Sequence, residues 1–317
     1  MLVSEVLPGL FMVRVPLPGS PLKALNSYVI RAERPLIIDT GFNMDVCYAE
    51  LVGALREIGV NYGRADYFIT HFHPDHLGLA SRLTNSVYMG DIEIEVKRNL
   101  ATLRSENLRY FEMNGVPRKD IEEMAIKLRE YVEDISNITF RPFKDGEVLK
   151  YGDYKLRTIL TPGHTPGHMC LYDEEKKILF SGDHILFDTT PNISYWSRYD
   201  TLKEYINSLD KIYELDIDLV FPGHGRHQGG VRKRILELKG HHKRRLEEII
   251  AALKSGVKNA WEISRHITWN ISYSNWDNLP AIQKWFIISE TLAHITYLEN
   301  IGLITKENKD GKICYIS

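Results

Sequence analysis

Three cysteines in 317 residues, Cys47, Cys170 and Cys314, are too few and too widely separated for a disulfide framework, and no C-x-x-C pair is present to seat a zinc knuckle. They read as small buried hydrophobes in a reducing compartment. No apolar run reaches the length needed to span a bilayer, so no membrane partner is expected. Met1 through Gly9 lacks a basic segment followed by a long apolar stretch, so a signal peptide is not expected and the cytoplasm is the expected location. Neither sign of charge is in excess. The net charge of −2 gives no sign of a strongly basic nucleic-acid binder or an acidic tail. Low-complexity segments and internal repeats are also absent. What remains is an ordinary globular composition, 44% hydrophobic and 26% charged, on a chain long enough for one large domain plus a small one.

Against that background one stretch stands out, His71-Phe72-His73-Pro74-Asp75-His76. On an extended segment His71 and His73 point the same way, and Asp75 and His76 follow at once. Imidazoles with one carboxylate suit Zn²⁺ or a similar first-row ion. A polar loop of locally capped histidines is the bland alternative. Further His/Asp stations along the chain count against it.

Those stations recur at strand ends. Glu5–Val15 reads as strand, turn, strand around Pro8-Gly9, and Leu25–Ile30 as another strand. Leu36–Ile38 is an apolar strand running into Asp39-Thr40-Gly41, followed by a helix over Asp45–Ile58 with Val46, Leu51, Leu55 and Ile58 as its apolar positions. Ala65–Thr70 is a buried strand delivering His71, with a helix starting over Leu77–Leu83. Residues 91–136 show two helical patterns broken at Asn114-Gly115-Val116-Pro117, the second with Ile121, Met124, Leu128, Tyr131, Val132 and Ile135 at helical spacing. They are expected to form a helical hairpin near the site. Strands resume at 147–151 and 154–160, leading into Thr161-Pro162-Gly163-His164-Thr165-Pro166-Gly167-His168, then at 177–180 before Ser181-Gly182-Asp183-His184, and at 218–221 before Pro222-Gly223-His224-Gly225. Loops at one edge of stacked sheets converge such side chains on one point.

Residues 36–41, 71–76, 161–168, 181–183 and 222–225 resemble, in order, the signature motifs of the metallo-β-lactamase superfamily, over roughly residues 1–230. The resemblance implies an α+β fold, a four-layer αβ/βα sandwich with a dinuclear metal centre at one edge. It assigns His71, His73 and His164 to one ion, Asp75, His76 and His224 to the other, and Asp183 to both. Asp39 would orient ligands, and His168 would lie beside the site without binding metal. His184 is expected to be structural. The implied chemistry is hydrolysis by a metal-bridging hydroxide of an ester, thioester or phosphodiester, with Asp75 and Asp183 as the catalytic carboxylates. Two zinc ions are the expected cofactor, with iron or manganese as alternatives. A carboxylate at Asp183 argues against a true β-lactamase, and His73 against the flavin-partnered di-iron reductases.

Residues 231–317 carry 14 Lys/Arg and 9 Asp/Glu, net +5. Helical patterns over 232–253, 260–267 and 285–299 precede Ile313–Ile316 and its Asp310-Gly311 turn, an order that looks like a winged helix. The expected domains are therefore 1–230, containing the 91–136 insertion, and 231–317. His241 and His242 are adjacent on a helix and point apart, so no metal site is expected there. The combination is similar to the beta-lactamase-like protein 2 branch, which implies cleavage of single-stranded RNA, with glyoxalase II-like thioester hydrolysis of a small molecule as the nearest rival, since the same seven ligands serve it. A homodimer is compatible with the sequence. Sequence-specific DNA binding is not expected, although a winged-helix binding protein with a metal-sensing domain is a rival of another class. Asn192 and Tyr195, in the stretch to Trp196, are the expected substrate contacts.

Overall fold

The structure, a computed structural model, describes residues 3–130, 137–270 and 276–317. Tyr131, Val132 and Ile135 of the expected second helical pattern lie outside the described residues. The fold divides into two compact units. The first is Met1–Lys97, Glu133–Pro191 and Ser208–Arg234, and the second is Arg98–Val132, Asn192–Asn207 and Ile235–Ser317.

The first unit is built on two sheets. One contains β1 (Val3–Leu7), β2 (Leu10–Pro16), β3 (Ala24–Ile30), β4 (Leu36–Ile38), β5 (Asp66–Phe68), β6 (Ser86–Gly90) and β7 (Thr139–Phe143), in that spatial order. The other contains β8 (Val148–Tyr151), β9 (Tyr154–Leu160), β10 (Met169–Asp173), β11 (Ile178–Gly182) and β12 (Leu219–Pro222), ordered 12-11-10-9-8. Strands β1 to β4 pair antiparallel and β4 to β7 parallel. The parallel half has helices between its strands: α1 (Asp45–Glu57), the short α2 (Pro74–Leu77) and α3 (Ala80–Leu83), and α4 (Asp91–Arg98). The fold is thus mixed α/β, with helices interleaved among strands.

The two sheets share one core. Leu10, Tyr28, Ile30, Leu36, Ile38 and Phe68 of the first meet Leu156, Met169, Leu171, Ile178, Phe180 and Phe221 of the second. Tyr28 sets its ring edge-on to Phe180 and Phe221 at 5.3 and 5.4 Å. Its hydroxyl, buried with it, donates to the carbonyl of Pro222 at 2.8 Å. Strands β10 and β11 are buried at every position, which is why they read as continuous apolar runs.

Some sequence expectations shift here. Helix α1 buries Cys47, Leu51, Val52, Ala54 and Leu55, while Val46, expected on its apolar face, is exposed. The helix expected over Leu77–Leu83 is instead the short α2 and α3, so Asp75 and His76 sit on helix rather than loop. Cys314 is only half-buried.

The second unit contains α5 (Leu100–Met113), α6 (Arg118–Glu130), most of α8 (Val231–Lys254), α9 (Ala260–His266), α10 (Ala281–Asn300) and the hairpin β13 (Thr305–Lys309) and β14 (Lys312–Ile316). Helix α7 (Thr201–Tyr213) begins in this unit and ends in the first. Asp310 and Gly311 both adopt positive φ, 51° and 78°, the turn that Asp-Gly favours between antiparallel strands. The division differs from the expected boundary at residue 230, because helices α5 and α6 group with the C-terminal helices. Within the unit, Asp120 of α6 pairs with Lys284 of α10, Phe111 of α5 packs on Trp285, and Asn114 accepts the Tyr315 hydroxyl. No helix among the described residues is long and apolar enough to cross a membrane.

Candidate metal centre

Five strand ends at one edge of the first unit supply the site. Strand β4 runs into Asp39, β5 into His71, β9 into the loop with His164 and His168, β11 into Asp183, and β12 into His224. The geometry brings all seven expected ligands together. His71, His73 and His164 form one group, Asp75, His76 and His224 a second, and His71, His76 and Asp183 a third. In each, one ligand-type atom per residue lies within 4.8 Å of the others. His73 Nδ1 is 3.0 Å from both His71 Nε2 and His164 Nε2. Asp183 stands between the first two groups. Its Oδ2 is 3.5 Å from His164 Nε2, and its Oδ1 is 3.5 Å from both His76 Nε2 and His224 Nε2. That Oδ1 is buried without a hydrogen-bond partner, an orphaned acceptor that a cation would satisfy.

Hydrogen bonds at the rear of the rings fix which nitrogen faces inward. Asp39 Oδ2 accepts from His76 Nδ1 at 2.8 Å, and the carbonyl of Ala24 accepts from His224 Nδ1 at 2.8 Å. Thr70 donates its hydroxyl to Asp39 Oδ2 and therefore receives the Nδ1–H of His71 at 3.1 Å. Each ring thereby turns its Nε2 toward the centre, the nitrogen metal ligation would use. His168 behaves differently. Its Nδ1 bonds Thr161 Oγ1 at 2.8 Å, and its Nε2 accepts the backbone N–H of Asp183 at 3.2 Å. It therefore holds the backbone of Asp183 in place. His184 is wholly buried, its ring 6.1 Å from that of His168.

Electrostatics divides the rings into two kinds. Burial, reinforced by neighbouring imidazoles, pushes His71 well below its ordinary value and His73 down to about 3. These are neutral lone-pair donors. Burial alone would lower His76 too, but Asp39, Asp183 and Asp75 together hold it well above the ordinary value, and Asp183 and Asp75 raise His224. Burial works against ionisation of Asp75, yet His76 and His224 bring it down to about 2. The Asp75/His76/His224 side is thus a place that holds positive charge, and a divalent ion would displace protons there.

Two glycines make room. A Cβ at Gly182, where φ is +47°, would lie 2.6 Å from His168 Nε2. One at Gly223 would lie 2.7 Å from Asp183 Oδ1 and 2.8 Å from His76 Cε1.

Thr70 and the Ala24 carbonyl are supporting groups without a motif of their own, while Thr161 opens the 161–168 motif without a role expected from it. Asn26, two residues beyond Ala24 on β3, donates to the carbonyls of Pro222 and Gly225 at 3.0 and 2.9 Å and fastens the loop that carries His224. Asn192 and Tyr195, expected at the substrate, belong to the second unit. There the Asn192 amide donates to Glu290 Oε2 at 2.6 Å, and Tyr195 stacks on Tyr110 with its backbone N–H on Ser289. His241 and His242 also differ from expectation, since they and Glu290 bring ligand-type atoms within 4.8 Å. Glu290 Oε1, however, already meets the buried guanidinium of Arg245 at 3.2 Å, which supplies the positive charge a metal would bring.

The comparisons agree with this geometry. The family model described as "Metallo-beta-lactamase superfamily" matches residues 22–224. The chain is 28% identical over 236 residues to a beta-lactamase-like protein 2 homolog of Caenorhabditis elegans, a match covering 74% of this chain and 66% of that protein. It is 26% identical over 250 residues to an atrochrysone carboxyl ACP thioesterase of Aspergillus fumigatus, covering 77% of this chain and 65% of the relative. In both cases the match takes in less than two thirds of the relative's own length. Among solved structures, a metallo-beta-lactamase family protein from Thermus thermophilus superposes with a TM-score of 0.82 at 30% identity, over 98% of this chain and 99% of that one. A chain whose five strand-end loops bring these histidines and aspartates to one edge, and whose residues 22–224 match that model, belongs to the metallo-beta-lactamase superfamily.

Proposed function

We propose that this protein is a dinuclear metal-dependent hydrolase that cleaves thioesters. The observation that carries the reading is the placement of Asp183, one oxygen toward His164 and the other, unpartnered, toward His76 and His224. His71, His73 and His164 would hold one ion, Asp75, His76 and His224 the other, and Asp183 both. Two such ions, when bound, would supply Lewis acidity and lower the pKa of water toward neutral. The chain's own part is orientation. Asp39, Thr70 and the Ala24 carbonyl hold the Nδ1–H side of His76, His71 and His224 and keep their Nε2 atoms inward. Asp75, ionised and the most exposed of the three acids, is placed to accept a proton or hydrogen bond from an incoming water. No serine or cysteine nucleophile is called for.

A thioester is favoured over other acyl or phosphoryl substrates because a relative matching 77% of this chain is named a thioesterase. The test is release of free thiol from a short-chain acyl-coenzyme A and an acyl-pantetheine by zinc-loaded protein, with chelated protein as control. Thiol release that depends on metal supports the reading, and a zinc-loaded protein inert to both sinks it. A second reading takes single-stranded RNA as substrate. It is favoured by the net +5 segment 231–317 and by the hairpin that carries Lys306, Lys309 and Lys312 after three helices, in the order of a winged helix. RNA in the same assay panel, with cleavage products resolved by size, decides between them.

A further inference from the structure

We infer that Glu93 is a positioning residue for the metal centre, its carboxylate tying the loop that carries His71 and His73 to the loop that carries His164. The inference rests on the metal-dependent reading above. Glu93 lies in the first turn of α4, directly after β6, and is fully buried. Its Oε1 accepts the backbone N–H of Phe72 at 2.8 Å, and its Oε2 accepts the backbone N–H of Gly167 at 2.9 Å. Phe72 stands between His71 and His73. Gly167 stands between His164 and His168. One side chain therefore holds two loops that contribute three of the seven ligands.

The backbone is built to the same end. A Cβ at Gly167 would lie 2.2 Å from the Glu93 nitrogen, and one at Gly90 would lie 2.9 Å from the Gly167 carbonyl oxygen. The loop over 161–168 thus rests directly on the junction of β6 and α4, closer than any side chain would allow. Glu93 is also the right chemical type. Both N–H groups point at it, and a carboxylate group offers an acceptor to each, the two bonds opposing the burial that raises Glu93 to about 7. A glutamine of the same shape would turn its NH₂ toward one of those donors and leave a buried N–H unmet. Aspartate keeps both acceptor oxygens but is one methylene short of spanning both. Burying a carboxylate is costly, and the two N–H bonds offset part of that cost. What the arrangement sets is the 3.0 Å spacing of His73 Nδ1 to His71 Nε2 and to His164 Nε2.

The test uses full-length protein stripped by chelation and titrated with zinc against a chromogenic competitor, for wild type, Glu93→Gln and Glu93→Asp. Cobalt(II) spectra at saturating metal are the second readout. Outer groups that orient metal ligands are worth roughly 10- to 100-fold in affinity. Glu93→Gln is expected to bind zinc weaker by about that factor, with a changed cobalt(II) absorption band, and Glu93→Asp to fall between it and wild type. A purely structural role would lower the unfolding temperature and leave the spectrum of the folded, saturated protein unchanged. Wild-type affinity and spectrum in either folded variant would overturn the inference, and Glu93→Asp decides alone if Glu93→Gln does not fold. A wild-type protein that takes up no zinc would instead remove the metal reading itself, a result distinguishable from the first.

Discussion

Asp39 accepts the Nδ1–H of His76 at 2.8 Å, and it does so from a left-handed backbone position, φ 58°, at the end of β4. The same carboxylate takes the N–H and the hydroxyl of Thr70, each at 2.8 Å, and through Thr70 it reaches His71. One acid thus orients a ring in each of the two ligand groups. Asparagine tolerates that backbone conformation, so Asp39→Asn isolates the chemistry from the fold. We expect zinc affinity to fall by roughly 10- to 100-fold with little change in far-UV circular dichroism. Competition titration of the apo protein measures it.

Gly223→Ala makes a steric prediction. The added methyl would stand 2.7 Å from Asp183 Oδ1 and 2.8 Å from His76 Cε1, so both groups must shift. Loss of bound metal in a protein that still unfolds cooperatively is the expected outcome. Retention of wild-type metal content would show that the loop over 222–225 yields at no cost.

Tyr28→Phe tests the join between the two sheets. The Pro222 carbonyl that loses the Tyr28 hydroxyl keeps the amide of Asn26 at 3.0 Å. Because the acceptor is not orphaned, the loss should be small, about 1 kcal/mol. Urea unfolding at equilibrium gives the value, and metal content should be unchanged.

A pH prediction concerns the second unit. Burial lowers His294 to about 4, from an ordinary value of 6.5, opposed by Glu290 and helped by Arg245 and His241. Its Nδ1 donates to the Glu290 carbonyl, and its Nε2 accepts from His242 Nδ1 at 3.0 Å. The folded state refuses a proton that the unfolded chain takes up. Stability from this group is therefore complete above about 6.5 and declines as pH falls toward about 4. Chemical unfolding across that window should show a shallower pH slope for His294→Gln than for wild type, by at most about 1.4 kcal/mol per pH unit. Equal slopes would mean that the ring takes up its proton in the folded state.

Much of the site was legible in the sequence because its ligands come in short local motifs at strand ends. His71, His73 and Asp75 announce themselves within five residues, and the glycines beside Asp183 and His224 mark tight turns. The supporting groups were not legible. Glu93, the carbonyl of Ala24 and the amide of Asn26 reach the site from a helix and a strand that carry no ligand motif, and a backbone carbonyl leaves no trace in a sequence. Helix phase misled at Val46, where the apolar stripe runs through Cys47 instead. The grouping of helices α5 and α6 with α10 was missed for a similar reason, since the Asp120–Lys284 and Phe111–Trp285 contacts join positions far apart in the chain. His241 and His242, though adjacent on a helix, bring ring nitrogens to one cluster. Glu290 and His294 of α10, far off in the chain, meet them there.

The most direct measurement of the central claim is metal content per chain, by elemental analysis of zinc-loaded protein after dialysis, for wild type and Asp183→Ala. Two ions per wild-type chain, falling to one or fewer in the variant, is the predicted result. An Asp183→Ala protein that retains two ions with unchanged affinity would contradict the account, because Asp183 is the carboxylate that stands between the two groups of ligands.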